Sequence, residues 1–271
     1  MKKEIKIAIV VLIGFLSFLW LEKPLREYLS INLFEEQIAK QISSIIIRTI
    51  LIVVVFILIK RFRQINFTGL NNWKKWNNAQ ALVVVTAFIM MGLFQNWNIY
   101  INTRIPLLIL FATSTVAVGI VEELAFRGTI FPLFIKSFKK TKRPIMMSAV
   151  LSSLIFGLIH LVNLHSRPEN LSGIASQVFF ATSIGVFFCG LMIRTENILI
   201  PCIVHTLINF SFGARELKRS MDEVSKIEET NGIDWNSVIP TTIFFSFILI
   251  GGIYMILRTE EELILNKLEV K

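Results

Sequence analysis

The chain has 271 residues, of which 54% are hydrophobic and only 17% charged, with a mean hydropathy of +0.65; a soluble domain carries about 45–50% apolar and about 25% charged residues. This balance excludes an ordinary soluble globule and makes lipid the solvent for most of the chain. The net charge of +9 does not point to nucleic acid, because the Lys and Arg residues flank hydrophobic runs, where they meet anionic headgroups and set topology.

Apolar runs cover residues 5–21, 43–59, 79–94, 105–135, 145–164, 174–193, 198–212 and 238–257. Most of them suit membrane helices rather than the roughly 10-residue alternating segments of a barrel, because a helix satisfies its backbone groups internally in hydrocarbon. The expectation is an all-α, polytopic membrane protein of about eight transmembrane helices, a single integral membrane domain over residues 1–271. The first run follows Met1-Lys2-Lys3 and precedes Glu22-Lys23-Pro24 without a small-x-small cleavage site, and so reads as an uncleaved signal anchor. Cys189 and Cys202 lie inside apolar runs and read as packing thiols rather than redox groups. Basic residues between the runs total 17 on the side of the N-terminus and nine on the other, with Arg48 and Arg127 inside runs. The expected location is the cell membrane, with both termini cytoplasmic. Arg48 and Arg194 read as topological charges near span ends, and the mixed-charge stretch 215–234 as a solvated segment.

The fourth run is too long for one upright span and too short for two: about 31 residues at 1.5 Å each extend about 46 Å against a core of about 30 Å. It must tilt, break or protrude. Within it, Glu122, Glu123 and Arg127 stand in nearly pure hydrocarbon. Each such charge costs about 2.5–3.5 kcal/mol on insertion scales, so the cluster marks a functional site. Four-residue spacing lets Glu123 pair with Arg127, while Glu122, about 100° around the helix, stays free to face a cavity as a general base. His160 lies in the fifth run, and His205 and Asn209 share one face of the seventh. Glu122 and His160 are equidistant from the basic turn at Thr141, which puts them level in an antiparallel hairpin. His205 and Asn209 reach that depth only if the helices tilt or their turn is recessed. His165, beside a loop, is read as having no role.

Glu122-Glu123-x-x-x-Arg127, Phe156-x-x-x-His160 and His205-x-x-x-Asn209, in this order on apolar runs, resemble the CPBP family of intramembrane proteases. That family takes in type II CAAX prenyl endopeptidases and bacterial proteins of abortive infection, bacteriocin self-immunity and pheromone processing. The resemblance covers residues 105–212, which would be the catalytic core. It implies that Glu122 and His160 hold and deprotonate a water, that His205 and Asn209 stabilise the oxyanion, and that Glu123 and Arg127 brace the helix. The implied substrate is a peptide or membrane protein: a leader peptide, a bacteriocin or pheromone precursor, or a CAAX-like sequence. Glu122, His160 and His205 also offer the two-His-one-carboxylate set of a hydrolytic zinc site. None comes from an H-E-x-x-H helix, and Asn209 suits oxyanion donation better than zinc ligation, so metal-free activation is favoured and no cofactor is required. The rival reading is a catalytically silent scaffold or bacteriocin-immunity protein with the same fold.

Overall fold

The computed structural model describes residues 2–70, 82–165, 171–217 and 235–269, and the described residues are helical with no strand. The stretch 218–234, which contains most of the mixed-charge segment, lies outside them, as does the side chain of His165. The helices are α1 (Lys3–Trp20), α2 (Glu22–Asn32), α3 (Glu36–Arg61), α4 (Ile65–Thr68), α5 (Leu82–Gln95), α6 (Trp97–Asn102) and α7 (Ile105–Ala125). A π-helical turn, Phe126–Ile130, joins α7 to α8 (Phe131–Phe138). Then follow α9 (Pro144–Ile159), α10 (Leu171–Thr195), α11 (Leu199–Gly213), α12 (Trp235–Leu257) and α13 (Glu261–Glu269).

The protein is an all-α polytopic membrane protein. Among the described residues six helical stretches are long and apolar enough to cross a bilayer: Lys3–Asn32, Glu36–Arg61, Ile105–Phe138, Pro144–Asn163, Gly173–Thr195 and Val238–Leu257. The remaining two expected runs form shorter apolar helices, α5 and α11, of 14 and 15 residues. At 1.5 Å per residue these extend only about 21–23 Å. The expectation of eight spans is therefore met by six full-length stretches and two short helices packed together through Gly92, where a Cβ would lie 2.8 Å from the Phe212 ring.

One end of the bundle gathers residues from both ends of the chain. Lys2 Nζ donates to the Ser137 carbonyl, Lys136 Nζ to the Phe62 carbonyl at 3.2 Å, and Lys267 pairs with Glu196 at 2.8 Å. Here the turn before α11 is covered: Thr195, Asn197 and Ile198 are buried, and the Ile198 N–H donates to the Thr68 carbonyl at 2.9 Å. Gly69, at φ 68°, makes this closure; a Cβ there would fall 1.9 Å from the Glu196 carbonyl oxygen. The turn is recessed beneath α4 and α13, so α11 starts inside the bundle. At the opposite end, Arg104 pairs with Glu35 and Lys40 with Glu216 at 2.7 Å, and Tyr100 donates to the Phe210 carbonyl at 2.6 Å. These contacts align α3 and α7 in parallel, with α11 against them.

The long fourth run neither breaks nor divides. It continues as one 34-residue helical stretch from Ile105 to Phe138, interrupted only by the π turn. There the Phe131 N–H donates to the Phe126 carbonyl and Thr129 Oγ1 to the Leu124 carbonyl at 3.1 Å, both five residues back. Such a turn carries one extra residue and rotates the side chains beyond it, and π turns often accompany functional sites. Phe126, Arg127, Ile130 and Phe131 are all buried at this turn. In lipid, where apolar surface alone does not drive helices together, this close packing and the polar contacts hold the bundle.

Candidate active site

The site begins where α7 crosses α11. A Cβ on Gly119 would lie 2.4 Å from Thr206 Oγ1 and 2.8 Å from the Thr206 backbone nitrogen, so only a glycine permits this approach. One helical turn beyond the crossing, the paired glutamates reach His205. Glu123 is fully buried, and its Oε1 accepts from His205 Nδ1 at 2.8 Å and from Arg127 Nη1 at 3.0 Å. The i,i+4 ion pair expected from spacing is thus present, but Glu123 has a second partner from another helix. His205 Nε2 lies 3.5 Å from Glu122 Oε2, so the imidazole stands between the two adjacent carboxylates.

Arg127 is 1% exposed. Its guanidinium carbon sits 4.8 Å from the Phe156 ring centroid and 5.4 Å from that of Phe188, geometry in which an aromatic face stabilises a desolvated cation. Gly185 leaves room for it: a Cβ there would approach Arg127 Nη2 to 3.0 Å. Phe156 also presents its ring to His160 at 5.7 Å and to His205 at 6.1 Å, both near-perpendicular. The phenylalanine of the Phe156-x-x-x-His160 pattern therefore packs against the cation and both histidines. His160 itself lies where α9 gives way to a 3₁₀ turn, at the end of the bundle away from the chain termini.

Glu122, His160, His205 and Asn209 all line one cavity of about 1120 Å³. Glu123 and Arg127 are buried behind it. The recessed turn before α11 gives His205 and Asn209 the depth that counting from an exposed turn does not. Asn209 has no side-chain hydrogen bond among the described residues, which leaves its amide available to the cavity. Residues from α5, α10 and α12 complete the walls, chiefly phenylalanines: Phe88 stacks on Phe212 at 4.3 Å, and Phe180 on Phe245 at 4.6 Å. Besides Thr241, two amides, Gln95 and Gln177, also line the cavity, and Gln177 accepts a hydrogen bond from Asn163 at 3.0 Å. Sequence reading passed them over because an uncharged amide near a span end looks interfacial; its only signal was a polar group in an apolar run.

Among the described residues no three His, Cys, Asp or Glu side chains converge as a ligand set. His205 bonds Glu123 through Nδ1, which leaves Nε2 as the ring nitrogen that faces Glu122.

Residues 103–211 match the model of a protein family described as Type II CAAX prenyl endopeptidase Rce1-like. Over this segment the chain is similar to the CPBP family of membrane proteases. The match takes in α7, the π turn, α8, α9, α10 and nearly all of α11, and so every residue of the polar cluster. No curated protein and no solved structure gave a significant match.

Proposed function

We propose that the protein is an intramembrane endopeptidase whose catalytic core spans residues 105–212 within a single membrane domain. The observation that carries the reading is the convergence of Glu122, His160, His205 and Asn209 on one cavity, with Glu123 and Arg127 buried behind them. Glu122 and His160 position a water and take its proton as it attacks the scissile carbonyl. Because a carboxylate only accepts, the bond to Glu123 requires the proton on His205 Nδ1. His205 can then donate through Nε2 only as imidazolium. In that form the four charges of Glu122, Glu123, Arg127 and His205 cancel, and the Nε2–H, together with the Asn209 amide, stabilises the tetrahedral oxyanion. No step passes through a metal.

The substrate class is a peptide bond in a membrane-associated peptide or protein, such as a leader peptide, a bacteriocin or pheromone precursor, or a CAAX-like sequence. A phenylalanine-walled cavity favours apolar side chains beside the scissile bond. The cavity-lining residues His160, Gln177, Asn209 and Thr241 lie near helix ends opposite the chain termini. With the lysine-rich end cytoplasmic, the site opens on the other face of the membrane.

The test is to reconstitute the purified protein in lipid vesicles with a library of membrane-associated peptides and identify products by mass spectrometry. Cleavage should disappear in Glu122→Gln and His160→Ala and persist with a zinc chelator. Cleavage unaffected by either substitution overturns the assignment. No cleavage, with a cellular phenotype that both variants leave intact, favours the silent scaffold or immunity protein.

A further inference from the structure

Resting on the hydrolase reading above, we propose that a polar cleft between α3, α7 and α11 supplies water, the second reactant, to the site. The cleft has a volume of about 340 Å³, and Gln41, Ser44, Arg48, Ser114 and Thr115 line it. It is distinct from the larger cavity, yet both are lined by Val118, Ile208, Asn209 and Phe212. The two therefore adjoin at Asn209. Thr115 lies seven residues before Glu122, about 10 Å along α7, so the cleft approaches the water-activating carboxylate from the side.

Its lining is unlike that of a lipid-filled gap. Ser114 Oγ donates to Gln41 Oε1, and both residues are buried. Arg48 pairs with Glu22 instead of reaching for headgroups, and its Nε is buried without any protein partner. A buried donor left unpaired costs about 1–3 kcal/mol, which a water in the cleft removes. Arg48–Glu22 and Lys40–Glu216 each sum to zero charge, so the entrance is polar without attracting a particular ion.

The chemistry requires such a route. Each turnover consumes one water: its oxygen bonds to the carbonyl carbon, the C–N bond breaks, and one proton passes to the leaving amine. A substrate lying among Phe88, Phe180, Phe212 and Phe245 displaces water from the large cavity. Water entering past Ser44 and Thr115 reaches Asn209 and Glu122 without crossing that substrate.

The probe is a charged, water-soluble thiol reagent, a trimethylammonium-ethyl methanethiosulfonate, applied to the full-length protein in vesicles. Ser44→Cys and Thr115→Cys should react at least about tenfold faster than Val54→Cys, since thiol reactivity needs an ionised, water-accessible sulfur. Val54 lies on the outward face of the same helix as Ser44 and is 42% exposed; the native Cys189 and Cys202 are buried and give the background. Filling the cleft with Ser44→Leu and Thr115→Leu should lower kcat about tenfold, on the order of 1.4 kcal/mol in the barrier, with KM unchanged. Labelling as slow as at Val54→Cys, or full kcat in the filled variant, overturns the proposal while leaving Glu122-dependent cleavage intact. Absence of any Glu122-dependent cleavage overturns the protease reading and this one with it.

Discussion

Glu122 and Glu123 are neighbours in sequence with opposite environments. Glu122 faces the cavity, whereas Glu123 is fully buried between Arg127 and His205. Their substitution should therefore separate two effects. Removing the carboxylate proposed as general base, Glu122→Gln, should lower kcat by about 10²–10⁴-fold with thermal stability retained. On the proposed mechanism, Asn209→Ala should lower kcat by about 10²–10³-fold, the usual consequence of losing one oxyanion donor. Arg127→Met leaves a buried carboxylate without its cation and should destabilise the fold by about 3–5 kcal/mol, read as loss of the thermal transition in detergent. The exposed Glu35–Arg104 pair is the control. Arg104 holds the Glu35 carboxyl below its ordinary range, but both groups remain in solvent, and Arg104→Met should leave the transition where it is.

Between elements, the decisive contact is the crossing of α7 and α11. Gly119→Val places two methyl groups where even a Cβ would meet the Thr206 backbone, and α11 must move away. His205 then leaves the carboxylates. The expected result is loss of Glu122-dependent cleavage together with a lowered thermal transition; a fully active Gly119→Val protein would contradict the site as drawn. The π turn works at the same scale. It holds Arg127, buried beside Phe156 and Phe188, and leaves the 34-residue helical stretch continuous.

At the scale of the molecule, the two ends of the bundle carry different charges and different roles. Lys2, Lys3, Lys60, Arg61, Lys139, Lys140 and Lys142 gather at the end where the chain begins and finishes, and the cavity opens near the other. Thr141→Cys should be labelled by an impermeant reagent only from the cytoplasmic side and Asn32→Cys only from the opposite side. The reverse pattern would place the site toward the cytoplasm and redirect the search for substrates. Composition and run length alone determined that the chain is all-helical and lies in a membrane, because hydrocarbon leaves a polar backbone few other ways to be satisfied. Four-residue spacings also determined the Glu123–Arg127 pair, since that contact lies within one helix. What local spacing does not contain is contact between segments. The bond from His205 to Glu123, 82 residues apart, depends on Gly119 admitting α11. The depth of that helix depends on a turn recessed beneath α4 and α13. The polar cleft exists only where three helices meet and bring Gln41, Ser44, Arg48, Ser114, Thr115 and Asn209 together, a juxtaposition that no single helix carries in its own sequence.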